Sequence, residues 1–177
     1  NQLFFYTKLD HPLVLNNTAT NKLEFKNADG YIDTKGIETN LRFTYQDFKL
    51  FIGYTYTDAN TNFKNSKQLL PLTARHRLNN VLMYEIEYKL KLGLEAYYIG
   101  KQSLSDGSFG KSYWITGFMA EKLWEKWSLF INFENFTNTR QSKFDNIFTG
   151  SILNPVFKDI YAPVEGFVVN GGLKIRL

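Results

Sequence analysis

Acids and bases gather at a few places in this chain. Glu85, Glu87 and Glu95 recur at odd positions with Lys91 among them, and Arg42 sits upstream on a similarly alternating stretch. Carboxylates beside a cation would suit proton transfer between a general acid and a general base. The same spacing suits ion pairs across neighbouring strands of a wetted sheet face, and the alternation favours that reading. Arg75-His76-Arg77 is a second group, suited to an anionic ligand; the plainer reading is a solvated strand end. No G-x-S-x-G, H-E-x-x-H or Gly-rich phosphate loop is present. With no cysteine and only two histidines, His11 and His76, disulfides and thiolate metal sites are excluded and a histidine-rich metal site is not expected. No catalytic residue, metal or cofactor is therefore assigned, and no enzymatic activity is expected. The net charge of +4 is spread along the chain without a Lys/Arg cluster, so no nucleic-acid partner is expected.

The elements that must position these charges read as strands. From Arg75 to Lys101, Leu78, Asn80, Leu82, Tyr84, Ile86 and Tyr88, then Leu90, Leu92, Leu94, Ala96 and Tyr98, fall on one parity. Asn79, Val81, Met83, Glu85, Glu87, Lys91, Gly93, Glu95 and Tyr97 fall on the other, with a tight turn near Tyr88-Lys89. Period two marks a strand with different surroundings on its two faces. Strands of about ten residues whose apolar side ends in tyrosines fit a tilted bilayer crossing, which takes roughly 9–11 residues. No run approaches the length of a transmembrane helix, which leaves a barrel open because its apolar residues show only at alternate positions.

Taken in order, residues 1–9 alternate weakly, with Leu3, Phe5 and Leu9 on one parity, and residues 10–30 read as a polar loop. Tyr31 to Tyr45 and a strand from Phe48 follow, joined by Gln46-Asp47; Leu41, Phe43, Leu50 and Ile52 mark their apolar sides. After a second polar loop, 58–72, and the hairpin just described comes a third loop, 102–111. Tyr113 to Leu123 is a strand of ambiguous parity, because Ile115 and Met119 compete with Trp114 and Phe118. A turn at Trp124-Glu125-Lys126 leads to Trp127–Phe136, then the longest loop, 137–165, then Phe167–Leu177. Eight strands are expected. Across the six clearest, the apolar parity, taken from Ile37 in the Tyr31–Tyr45 strand, carries no charge, whereas the other carries Glu38, Arg42, Lys49, Glu85, Glu87, Lys91, Glu95, Glu134, Lys174 and Arg176, read as facing a wet lumen. A Lys or Arg on the lipid side near mid-membrane costs about 2–4 kcal/mol, which is reason enough for the segregation. Tyr54, Tyr56, Tyr84, Tyr88, Tyr98 and Trp127 read as a girdle at the membrane interface. Long and short connections alternate, and all four prolines fall in the long ones, where no ladder bond is lost. The competing fold is a soluble β-sandwich or lipocalin-like barrel with the apolar parity turned inward. Strand length and aromatic ends favour lipid.

Several short pieces, in order, resemble the C-terminal part of TonB-dependent outer-membrane receptors of the kind common in Bacteroidetes. Tyr31-Ile32-Asp33-Thr34-Lys35-Gly36-Ile37-Glu38 is similar to that family's N-x-G-x-x-x-G-x-E strand, and Leu70 to Leu78 to its P-x-H-x-hydrophobic strand entry. Asn135-Phe136-Thr137-Asn138 resembles the N-L-F-N end of the penultimate strand, and Ala162 to Phe167 stands where P-G-R precedes the last. Two departures stand out: Phe167 follows Gly166 where the family has arginine, and the chain ends in Leu177 rather than an aromatic.

The resemblance implies an all-β, antiparallel transmembrane β-barrel, with about eight strands here forming the last third of a plugged 22-stranded barrel. On that reading residues 1–177 are the C-terminal portion of the barrel, in the outer membrane, and the plug, the N-terminal strands and any signal peptide belong to a longer chain. The implied function is uptake of a scarce nutrient: ferric siderophore, cobalamin, oligosaccharide or peptide. Implied partners are outer-membrane lipid and lipopolysaccharide, whose phosphate Arg75, His76 and Arg77 would reach, the missing strands and plug, the TonB system through that plug, and a surface lipoprotein. Residues 10–30 and 137–165 are the expected ligand-contacting loops. A free-standing eight-stranded barrel with a structural or adhesive role is the alternative; it requires Leu3–Leu9 to pair with Phe167–Leu177. A small lipid-modifying outer-membrane enzyme is a third reading, without a visible polar cluster to support it. Asn16-Asn17-Thr18 and Asn135-Phe136-Thr137 fit a glycosylation sequon, which means little in a bacterial envelope protein.

Overall fold

The computed structural model describes residues 1–17 and 22–176. Thr18 of the first sequon and the terminal Leu177 lie outside them. In chain order the strands are β1 (Gln2–Asp10), β2 (Leu13–Asn17), β3 (Leu23–Asn27), β4 (Gly30–Tyr45), β5 (Phe48–Phe63), β6 (Ser66–Leu69), β7 (His76–Ile86), β8 (Leu90–Ile99), β9 (Tyr113–Leu123), β10 (Trp127–Glu134), β11 (Phe148–Ser151), β12 (Asn154–Phe157) and β13 (Val168–Ile175). Eight of them form one antiparallel path, β1-β4-β5-β7-β8-β9-β10-β13, with β6 alongside β5. The eight wall strands correspond to those expected from the alternation. Among the described residues no helix is long and apolar enough to cross a membrane.

The registers keep like with like. Phe43, Leu50, Leu82, Leu94, Phe118, Phe133 and Val169 are successive partners across seven strands, so one apolar row crosses the sheet. The next row toward the short turns is Tyr45, Phe48, Tyr84, Leu92, Ala120, Ile131 and Gly171. Such residues would be hidden in a soluble sheet, yet Leu82 and Ile131 are each 40% exposed and Leu94 45%. The buried apolar residues are few and mostly small, and lie at the strand ends and in the loops rather than between two layers. A sheet with one bare apolar face and no second layer is not the soluble sandwich or lipocalin-like core considered above.

Turn chemistry fixes these registers. Gln46, in the two-residue β4–β5 turn, takes φ 51°, and Tyr88, in the three-residue turn between Ile86 and Leu90, takes φ 59°. Both are left-handed positions that tight hairpins demand. Because β7 ends at Ile86, Glu87 and Tyr88 lie in that turn and not on either strand face.

Three loop expectations need correction. Residues 10–30 contain the β2–β3 hairpin, in which Leu15 faces Phe25; the alternation of Leu13, Leu15, Leu23 and Phe25 was diluted by the polar residues around it. In 58–72, β5 continues to Phe63 and returns through β6, so the β4–β5 ribbon stands well beyond its neighbours. Residues 137–165 hold a short 3₁₀ turn, Gln141–Lys143, and the β11–β12 hairpin. The first strand also shifts: its register sets Phe4 opposite Ile37 and Phe5 opposite Gly36, so Phe4 and Tyr6 share the apolar side while Leu3, Phe5 and Leu9 take the other.

The two outer strands stay open. β1 pairs only with β4 and β13 only with β10, and no ladder joins β1 to β13 among the described residues. The closure required of a free-standing eight-stranded barrel is not formed.

Candidate functional site

The face opposite the apolar rows carries the ions. Register brings Glu85, Lys91 and Glu121 into one row across β7, β8 and β9. Lys49 Nζ lies 2.8 Å from Glu85 Oε2 and Lys91 Nζ 3.0 Å from Glu85 Oε1, so one carboxylate bridges two lysines. Lys174 Nζ lies 3.0 Å from Glu121 Oε1, which also accepts a 2.7 Å hydrogen bond from the Ser128 hydroxyl. Lysines and carboxylates thus alternate from β5 to β13 near the short turns. Each pair is partly exposed and screened by solvent, so it contributes little to stability. Their effect is to keep charge in water on one side of the wall.

Glu121 was missed by reading the strand alone, because Tyr113–Leu123 alternates ambiguously. The partners of β9 settle its parity: Trp114, Phe118 and Ala120 fall opposite Tyr98, Leu94 and Leu92 on the apolar side. Glu121 therefore takes the charged side and Lys122 the apolar one. Lys122 sits at the turn end of β9 with Nζ 5.9 Å above the Trp124 ring, where a long side chain reaches back to the interface.

Toward the long connections the charged face becomes a cleft. Gly117 stands in register between Glu95 and Glu134, and having no side chain it leaves space between two carboxylates. Tyr97 donates to Glu95 at 2.9 Å, and Asn170 donates to Glu134 at 2.6 Å. Arg42 lies over the Phe51 ring at 5.1 Å, and Glu38 accepts from Asn40 at 2.6 Å. Arg176 follows β13 and bonds through its backbone N–H to the Lys126 carbonyl.

Above the cleft the loops close onto this same face. Tyr113, on the parity of Met119 and Glu121, packs with Leu104, Tyr161, Ala162 and Phe144. Tyr113 donates its hydroxyl to the Tyr161 carbonyl at 2.8 Å, and Gln102 donates to the same carbonyl at 2.9 Å. Gln141, fully buried, accepts from the backbone N–H groups of Tyr161 and Ala162 and donates to the Asp159 carbonyl. Gly110 permits the close approach, since a Cβ there would meet the Tyr161 ring at 2.8 Å. The Tyr161 hydroxyl donates to Asp145 at 2.9 Å, which holds that carboxyl below its usual range, while burial pushes the Tyr161 phenol up. Asn135, at φ 48°, accepts from Thr139 N–H and donates to the Thr139 and Glu165 carbonyls, tying the loop's two ends together.

Arg75 and His76 line one cavity, while Arg77 falls on the opposite parity. Arg75 approaches Asp58 at 3.5 Å. The His76 Nδ1 shares a 2.8 Å hydrogen bond with the Tyr54 hydroxyl on the apolar face, and Arg77 falls in register with Thr55 and Ile99 on the charged one. Tyr54 and Tyr98 stand in one row with Trp114, Tyr98 and Trp114 being 5.2 Å apart; Tyr84 packs on Phe48 and Trp127 stacks on Trp124 at the opposite end. Tyr56 lies one row further out, 5.4 Å from His76.

The sequence pattern of the family described as TonB dependent receptor-like, beta-barrel matches residues 4–136, well over half of the chain. The chain belongs to that family. Solved TonB-dependent receptors share its fold. The ferric enterobactin receptor PfeA from Pseudomonas aeruginosa, in complex with enterobactin, superposes with a TM-score of 0.68 at 16% identity, over 97% of this chain and 28% of that one. The siderophore receptor PirA from Acinetobacter baumannii gives 0.68 at 16%, over 98% and 29%. The FrpB iron transporter from Neisseria meningitidis gives 0.67 at 15%, over 97% and 28%. The chain thus spans less than a third of the length of the solved receptors it matches. At these identities the likeness establishes fold, and it does not single out a Bacteroidetes type. Compared with curated proteins by sequence, the chain matches none.

Proposed function

We propose that this TonB-dependent receptor chain is the C-terminal wall of an outer-membrane transporter that takes up a scarce nutrient. The observation that carries the reading is the division of one sheet into two solvents. Uninterrupted apolar rows cover one face, while the other carries an ion-paired belt and is capped by ordered loops. A sheet with two unpaired edges cannot rest in hydrocarbon, because each unsatisfied backbone group there costs several kcal/mol. Further strands must therefore meet β1 and β13. In the transporter those strands complete the barrel, the plug stands against the charged belt, and TonB acts on the plug. The loops 10–30 and 137–165 meet the ligand from outside, with room for a surface lipoprotein above them.

Within the nutrient class a ferric siderophore is the first to test, since siderophore and iron receptors are what the chain's fold resembles; cobalamin, oligosaccharide and peptide follow. The test is growth of cells carrying the full receptor, with and without residues 137–165, on ferric siderophores as the iron source. Loss of growth with unchanged receptor in the outer membrane is the expected result. Normal growth on every ligand class after that deletion would overturn the loop assignment, and a soluble full-length protein would overturn the transporter reading.

A further inference from the structure

At the β1–β4–β5 end the wall reverses its polarity toward the long connections. As far as the row of Phe4, Ile37, Tyr56 and His76 the outward side is apolar or aromatic. The rows beyond place Lys8, Asp10, Asp33, Lys35 and Asp58 on that same side. These groups find partners among themselves and their neighbours. Lys8 Nζ lies 2.7 Å from Asp10 Oδ1 and 4.5 Å over the Tyr31 ring, Lys35 Nζ lies 3.9 Å from Asp58 Oδ2, and Asn62 donates to Asp33. Such a face belongs in water. The side that carries Glu38 changes the other way. Beyond Glu38 it presents Gly36, Thr34 and Ile32 on β4, set against Phe5, Thr7 and Leu9 on β1, with no charge on either strand. Phe5 lies against Gly36, where a Cβ would meet its ring at 2.5 Å. Leu3, opposite Glu38, and Leu9 are left bare, 54% and 55% exposed. At the far end of the sheet this inner side is covered, since Tyr113 packs with Leu104, Tyr161 and Phe144 of the connections.

An apolar inner patch backed by a water-facing outer side marks an interface. β1 runs toward the long connections and has one edge free, so antiparallel order puts a strand of opposite direction on that edge. Long and short connections alternate, so a long one enters that strand beside Leu9. The chain spans only 28–29% of solved receptors of its fold, which leaves ample chain to supply it. We propose that this preceding long connection folds inward and packs aliphatic or aromatic side chains on Leu3, Phe5, Leu9 and Ile32. It would cover β1 and β4 as the connections after β8 and β10 cover Tyr113. Continuity with the free edge favours this segment over the plug or an imported ligand, as does the position of the patch beyond the charged belt.

The proposal rests on the outer-membrane reading, so its test has two parts. In the full receptor, with and without a ferric siderophore, p-benzoylphenylalanine at Leu3 or Leu9 is photo-activated and the captured partner is identified by mass spectrometry. Both positions should capture the long connection that enters the strand beside β1. The same probe at Lys8, on the outward side, should not. Capture of the plug, of the siderophore or of another connection would overturn the proposal, as would no capture or equal capture from Lys8. Leu9→Ser should also quicken amide exchange in the captured connection about 10-fold, whereas Lys8→Ser should leave it near the parent's. An equal response to both, or to neither, would overturn the proposal again. A spin label at Leu94→Cys provides the second part. If it is in lipid while the capture fails, only this proposal fails; if it is in water, the membrane reading fails first.

Discussion

The wall and the loop 137–165 are ordered by different means. In the wall, backbone ladders run strand to strand and each side chain needs only to suit the solvent its face meets. The loop has one short hairpin and little ladder, so its path is fixed by side chains that bond the backbone. Gln141 holds three backbone groups of residues 159–162, and Asn135 spans the loop's two ends. The lesson is about tolerance. A wall position accepts many residues of one polarity, whereas Gln141 accepts almost none.

The sharpest test of that contrast is a pair of neighbours on β7. Leu82→Lys places an ammonium on the apolar row and should cost about 2–4 kcal/mol, seen as loss of the folded, heat-modifiable band from the outer membrane. Val81→Lys, one residue away and in register with Glu95, should leave that band intact. Equal behaviour of the two would break the assignment of faces. Next in size, Gln141→Ala leaves buried backbone groups without partners, at about 1–3 kcal/mol for each group left unsatisfied. Hydrogen exchange should rise in 137–165 and stay unchanged in β7–β10; a change spread over the wall would show that the two regions are not independent. The smallest effect is on pH. The Tyr161 hydrogen bond holds the Asp145 carboxyl below its usual range, so this contribution to loop order is complete above the ordinary carboxylate value. It is lost as pH falls through the lowered one. Amide exchange of residues 144–162, taken relative to the intrinsic rate at each pH, should therefore quicken as pH falls through that range, and Tyr161→Phe should flatten that dependence.

Much of the wall was legible because period two is a local signal. The frames of Leu41, Leu50, Leu82 and Leu94, read strand by strand, are the frames that the registers then align. The first strand and Tyr113–Leu123 were less legible, because aromatic and aliphatic residues sit on both parities there. Only the neighbours' registers put Phe4 on one side and Glu121 on the other. The loop hairpins escaped notice because Leu13, Leu15, Leu23 and Phe25 are scattered among polar residues. The Gln141–Tyr161 clamp had no signal at all, since a glutamine in a polar loop looks the same whether buried or exposed.

By itself the sequence determined which residues could share a face in most of the wall strands, where the tight turns near 46, 89 and 125 fall, and that no thiolate chemistry was available. These follow from side-chain alternation and composition, which need no partner strand. Tertiary structure decided which strands pair, which parity the ambiguous strands take, that the sheet stays open at both edges, and that the long loops fold onto the charged side. Each depends on contacts between residues far apart in the chain, and no local pattern encodes them.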